Sequence, residues 1–110
     1  MDKRIIEIAE HYKFDAQSRQ CMEEMAELTE ALNKFWRKNL LHGQVKLTED
    51  ILKVLKKTPE YRNVLEEVAD VQIMIAQITH LLQLDTSEIT EFKLQRQIER
   101  IEVENSYDFI

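Results

Sequence analysis

The amino-acid sequence predicts an all-α protein, a bundle of about four to five helices whose core is completed by homo-oligomerisation. Two observations carry the helical expectation and a third carries the oligomer. Across 110 residues Gly43 and Pro59 are the only strong chain breakers, while Leu, Ile, Glu, Lys, Gln and Ala are plentiful, a composition that favours helix over sheet. The apolar residues recur at helical spacing. The stretch from Val68 to Leu84 is apolar around most of its circumference, with Val71, Ile73, Met74, Ile75, Ile78, Leu81 and Leu82. Such a helix needs neighbours on nearly every side. Four or so helices of one small protomer cannot supply them, so another copy of the chain, in a dimer or tetramer, is expected against this surface.

The elements follow in order. A first short helix is expected from about Asp2 to His11, with Ile5, Ile6, Ile8, Ala9 and Tyr12 on its apolar side, and Lys13 to Asp15 break the pattern. Asp15 is placed to cap a long helix reaching about Asn39, because its carboxylate can accept from first-turn amides. Leu40 to Lys46, with Gly43, reads as a loop. Thr48 caps a short helix to about Lys57, with Glu49 and Asp50 in the first turn and Lys56 and Lys57 in the last, matching the helix dipole. Thr58 and Pro59 suit the N-cap and first position of the next helix, expected to run to about Leu84. Asp85, Thr86 or Ser87 caps a final helix to about Asn105, with Glu88 in capping-box position relative to Asp85. No repeat, low-complexity tract or linker divides the chain, so residues 1–110 read as one domain.

Charge and cysteine content narrow the function classes. Fifteen Lys and Arg against 21 Asp and Glu leave a formal charge of −6, which repels a phosphate backbone and argues against polymeric nucleic acid as a partner. A small phosphorylated substrate remains compatible, since a bound cation reverses the local charge. Cys21 is the one cysteine; no intrachain disulfide can form, and its place on an apolar stripe reads as a packed thiol in a reducing compartment. Met1 to Glu10 carries three acids and no long apolar run, unlike a secretory signal. No stretch approaches the ~20 apolar residues of a membrane span. A cytoplasmic location without membrane contact is the expectation.

Two carboxylate pairs do not fit a bland bundle. One helix reads Glu23, Glu24, Met25, Ala26, Glu27; another reads Glu66, Glu67, Val68, Ala69, Asp70. Spacing of i and i+3 puts two carboxylates on one helix face, about 5–6 Å apart at Cβ. Cys21, Met25, Leu28, Leu32 and Trp36 form the expected apolar stripe of the first, with Glu24 at its margin and Glu27 just beyond; Glu67 shares a sector with Met74 and Ile78, and Asp70 lies beside Leu81. Acids facing an interior are neutralised by protonation, a basic partner or a metal. Between Asp70 and His80 the chain supplies no base. Carboxylate ligation suits Mg²⁺, with Mn²⁺ as a substitute, whereas zinc prefers His and Cys. None of His11, His42 and His80 follows a Glu by three residues, which weakens a di-iron reading. Glu23, Glu30 and Glu66 read as solvated.

With Glu23-Glu24-x-x-Glu27 followed by Glu67-x-x-Asp70, each in a helix, and Gln20 one turn before the first motif, the chain resembles the MazG-like all-α nucleoside triphosphate pyrophosphatases from about Gln17 to Arg100. The resemblance implies a helical oligomer that uses Mg²⁺ to cut a nucleoside triphosphate between its α- and β-phosphates, giving a monophosphate and pyrophosphate. It implies Glu24, Glu27, Glu67 and Asp70 as metal ligands, and Glu23 as an acid that helps position water; Glu23 or Glu24 would accept the water proton. Lys93, Gln97 and Arg100 stand where similar proteins carry phosphate-directed Lys, Asn and Arg, and Gln97 departs from that pattern. The other reading of Lys93 and Arg100 is a solvated face paired with Glu99 or Glu104.

Lys34, two turns past Glu27, is a further phosphate candidate or a partner of Glu30. Trp36, like Phe35, is a candidate base-stacking ring or a core residue. The roughly forty residues between Glu27 and Glu67 exceed the spacer of compact relatives, so substrate choice does not transfer. From a different class, the rival is a non-catalytic helical interaction module whose acids only keep the bundle soluble.

Overall fold

Local capping chemistry starts and stops each helix where the sequence provides for it. In the computed structural model, which describes residues 1–39, 41, 43 and 45–107, four helices and no strand form among the described residues. Asp2 opens α1 (Lys3–Lys38) by accepting from the Arg4 amide at 2.9 Å. Thr48 opens α2 (Glu49–Leu55) by accepting from Ile51, and Thr58 opens α3 (Pro59–Leu81) by accepting from Tyr61 at 3.2 Å, with Pro59 in the first turn. At α4 (Ser87–Tyr107) the Asp85 carboxylate accepts from both the amide and the hydroxyl of Ser87.

Four helices stand where five were conceivable because the first two expected helices merge. Lys13 is not helical (φ 71°, ψ 174°) and makes a kink rather than a break, so α1 begins at Lys3 with Asp2 as its cap, and Asp15, expected to cap a second helix, instead lies within α1 with its carboxylate 3.4 Å from Nε of Arg19. Helix α3 ends at Leu81, one turn short of Leu84. Gln83 takes the left-handed conformation (φ 51°), its amide donating to the His80 carbonyl and that of Leu84 to the Thr79 carbonyl. Those two bonds satisfy the last carbonyls as a Schellman motif does, with glutamine in the position that favours glycine. Gly43 has φ 70° within the expected loop; Leu40, His42 and Gln44 of that loop lie outside the described residues, as do residues 108–110.

The core is the antiparallel seam between α1 and α3, which are the helices in extensive contact. Gln17, Cys21 and Ala31 of α1 are buried, as are Val71, Met74 and Gln77 of α3. Glu24, Leu28 and Phe35 continue the α1 seam as half-buried residues, and the Phe35 ring meets Tyr61 of α3 edge to face, centroids 6.2 Å apart. This seam repeats every three or four residues, and it corrects the expected stripe: Met25, Leu32 and Trp36 lie one face over and are exposed. Glu24, expected at the margin, is in the seam itself. Cys21 is a buried free thiol.

Helix α4 does not pack on this pair. None of its residues is buried, and Phe92 remains 65 % exposed. The radius of gyration is 18.2 Å, against about 13 Å for a compact chain of this length. Exposed Ile73, Ile75 and Leu82 add apolar surface on α3. No helix among the described residues is long and apolar enough to cross a membrane.

Candidate metal centre

Antiparallel packing of α1 on α3 brings the two acidic motifs face to face. Glu24 from the middle of α1 meets Glu67 and Asp70 from the middle of α3, and each offers a carboxylate oxygen within 4.8 Å of the others. Glu24 and Glu67 are half-buried in the seam; Asp70 and Glu27 sit exposed at its rim. Beside Glu24 and Asp70 a small cavity of about 90 Å³ opens, lined also by Ile73 and Met74, large enough to admit water.

Hydrogen bonding leaves the acids incompletely satisfied. One oxygen of Glu24 accepts from Nε2 of Gln20 at 2.9 Å. The other oxygen of Glu24, and one of Glu67, are shut off from solvent with no hydrogen-bond partner. Among the described residues no Lys, Arg or His forms an ion pair with Glu24, Glu27, Glu67 or Asp70. Two enclosed, unpaired carboxylate oxygens are costly for a folded chain.

Crowding changes how readily these acids ionise. The negative charges of Glu24 and then Glu67 raise the Glu27 pKa above its ordinary 4.5. Burial, followed by the charges of Asp70 and Glu24, raises Glu67 likewise, opposed by a hydrogen bond with Glu27. Glu27 therefore belongs to the electrostatic unit although it stands outside the tightest group of three oxygens. Glu23 is exposed on the outer side, close enough for its charge to act on Glu27.

The donor set fits a hard divalent cation. The three carboxylate oxygens lie within 4.8 Å of one another, near enough for small side-chain rotations to bring them onto one cation. An ion there would give the two orphaned oxygens the partner they lack. Glu24, Glu67 and Asp70 would hold it, with Glu27 able to reach from the rim.

No protein family, curated protein or solved structure matches the chain. What the chain does is therefore read from its side chains.

The remaining candidates divide by helix. Lys34 is not paired with Glu30; it lines a cleft of about 460 Å³ with Pro59, Glu60 and Asn63, two turns along the same α1/α3 groove from Glu27. Trp36 is 44 % exposed, one face over from the seam, and the Phe35 ring meets Tyr61. Lys93 and Arg100 do not join the acids within one protomer, because α4 stands away from α1 and α3; Arg100 lies among Arg96, Glu99 and Glu104 of its own helix.

Sequence reasoning missed Asn63 and Glu60 as neighbours of Lys34, since only the antiparallel register brings them there. It also missed Gln17 and Gln77, polar residues in positions where periodicity leads one to look for apolar ones.

Proposed function

We propose that this chain is a Mg²⁺-dependent nucleoside triphosphate pyrophosphohydrolase of the MazG-like type, cleaving (d)NTP to (d)NMP and pyrophosphate in nucleotide-pool house-cleaning. The observation that supports it most is the pair of enclosed, partnerless oxygens on Glu24 and Glu67, set against Asp70 with no ion-paired Lys, Arg or His among the described residues. Solvated acids that merely keep a bundle soluble have no reason to be turned into a seam.

Glu24, Glu67 and Asp70 would hold the cation from two helices, with Glu27 completing the site at the rim. The chemistry it would supply when bound is charge neutralisation on the triphosphate oxygens and a lowered pKa for water. Water adds to the α-phosphorus, the bond to the bridging oxygen breaks, and pyrophosphate leaves with that electron pair. Glu23 accepts the water proton: it is exposed, with its charge acting on Glu27, whereas one oxygen of Glu24 accepts from Gln20 and the other would be taken by the cation. Lys34, in the cleft it shares with Pro59, Glu60 and Asn63 further along the groove, neutralises phosphate charge, and Trp36, exposed two residues on, is the candidate ring for base stacking.

Incubating the chain with a panel of nucleoside triphosphates, with and without Mg²⁺, and measuring pyrophosphate release tests this directly. Monophosphate and pyrophosphate in equal amounts, only with Mg²⁺ present, are expected. Orthophosphate instead would move the reading to another phosphoanhydride hydrolase. No turnover, together with no saturable Mg²⁺ binding by calorimetry, would leave the interaction module.

Homo-oligomerisation belongs to the same proposal. A second copy covering the open faces of α4 and α3 would bury Phe92, Ile98 and Ile73, and would offer Lys93 and Arg100 a route to the groove that one protomer denies them. Light scattering is expected to give the mass of a dimer or tetramer, and Phe92→Glu/Ile98→Glu to reduce it. A monomeric parent chain at micromolar concentration would remove the oligomer.

A further inference from the structure

Two glutamines occupy an enclosed layer of the α1/α3 seam. Gln77 is 2 % exposed and Gln17 7 %. Nε2 of Gln17 donates to Oε1 of Gln77 at 2.7 Å, and Nε2 of Gln77 is directed at Sδ of Met74 at 3.6 Å. As a source of stability this is poor use of a core layer, since buried amides recover in the fold little more than they lose from water, and leucines would bury more apolar surface.

An amide pair does supply position. The rest of the seam, Cys21, Leu28, Ala31 and Phe35 against Val71, Met74 and Tyr61, is held by apolar contacts, which are non-directional and repack more readily than an amide pair if one helix slides past the other by a turn. The amides cannot: a slip separates them and leaves both unpaired in an apolar layer. A single buried polar pair fixing the register of packed helices is well attested elsewhere.

Register is what the acidic site needs. Glu24 follows Gln17 by two turns, and Asp70 precedes Gln77 by two turns on the antiparallel partner. Pairing Gln17 with Gln77 therefore sets Glu24 opposite Asp70, about 10 Å along the seam. A one-turn slip moves one helix by about 5.4 Å, more than the 4.8 Å that spans the three carboxylate oxygens. A second bond crossing between these helices, His80 to Glu10 at 2.7 Å, involves a carboxylate that is 64 % exposed. It lies on the far side of the Lys13 kink, so it ties down the segment before that kink rather than the one carrying Glu24.

We propose that Gln17 and Gln77 are positioning residues whose hydrogen bond holds α1 and α3 in the one register that brings Glu24 to Glu67 and Asp70. This rests on the metal-centre reading for its purpose but not for its geometry.

Two measurements on the full chain test the two parts separately. Nitroxides at Arg37→Cys and Gln72→Cys, exposed positions offset by about 22 Å along the helix axes so that sliding changes their separation, in a Cys21→Ala background diluted with unlabelled chain, report the helix register as a distance distribution. Calorimetric titration with Mg²⁺ reports the site. In Gln17→Leu/Gln77→Leu, helix content and the thermal midpoint are expected to equal or exceed the parent's. The distance distribution broadens or shifts by about 5 Å, one helical turn, and the Mg²⁺ dissociation constant rises at least about tenfold, as displacement of a ligand requires. An unchanged distance peak, or Mg²⁺ affinity within about twofold of the parent despite a shifted peak, overturns the proposal.

If the leucine pair does not fold, Gln17→Met/Gln77→Met, closer in length and flexible, takes its place; unfolding of both shows a role in stability and overturns positioning. A parent chain that binds no Mg²⁺ sinks the metal centre, and the distances alone then decide whether the amides set the register.

Discussion

Glu67→Gln is expected to lower Mg²⁺-dependent pyrophosphate release by at least about 10³-fold while leaving helix content intact and the metal-free thermal midpoint unchanged or higher. The two halves have one cause. Glu67 carries an oxygen that neither solvent nor any donor reaches, and burial together with Asp70 and Glu24 disfavours its charge. Replacing that carboxylate by an amide removes a ligand from the cation and one negative charge from a crowd of four. The new N–H can donate to the orphaned oxygen of Glu24. A fold held together by this carboxylate would instead be weakened by the change, so circular dichroism melts in EDTA beside a nucleotide assay separate the roles. Glu23→Gln is the informative companion: it should keep Mg²⁺ affinity but lose turnover, because Glu23 is exposed outside the group of three oxygens. Glu67→Gln with full Mg²⁺-dependent turnover would remove the enzyme reading.

The helix starts were legible because capping is local chemistry. Thr48, Thr58 with Pro59, and Asp85 each act on amides within three residues, so nothing distant had to be known. The acidic motifs were legible for a related reason, since i and i+3 spacing fixes a shared face whatever the helix packs against. Rotation of that face was not legible. Counting Met25, Leu32 and Trp36 as the stripe turned α1 away from the seam it uses, because buried Gln17 and half-buried Glu24 break the apolar pattern where the site is built. Lys13 misled in the other direction, ending the apolar pattern without ending the helix. Lys93 and Arg100 could not be placed by spacing at all. Their distance from the acids depends on where α4 goes, and α4 finds no surface of its own protomer to pack on.

Mg²⁺ is expected to reverse the pH dependence of stability. Glu67 and Glu27 both have pKa values raised above the ordinary 4.5 in the folded chain, and unfolding returns them to it. Within that window the folded chain binds more protons than the unfolded one, so metal-free stability falls as pH rises from about 4.5 through the raised values. Asp2, lowered to about 2 by its hydrogen bonds with Arg4, and Asp85, lowered by Ser87, act with the opposite sign. Their stability is lost only as pH falls below the ordinary carboxylate range, so scans begun at pH 4.5 leave them nearly silent. Mg²⁺ takes the ionised carboxylates and competes with protons for them. The gain in midpoint from Mg²⁺ should therefore be near zero at pH 4.5 and grow with pH, to on the order of 10–15 °C at a hundredfold excess over its dissociation constant. Calorimetric scans in EDTA and in Mg²⁺, each repeated on Glu67→Gln, isolate the contribution of the acidic cluster by difference. A parent and variant with the same pH slope in EDTA and the same response to Mg²⁺ would mean that the four acids neither crowd one another nor share an ion, and the α1/α3 seam would be a structural contact alone.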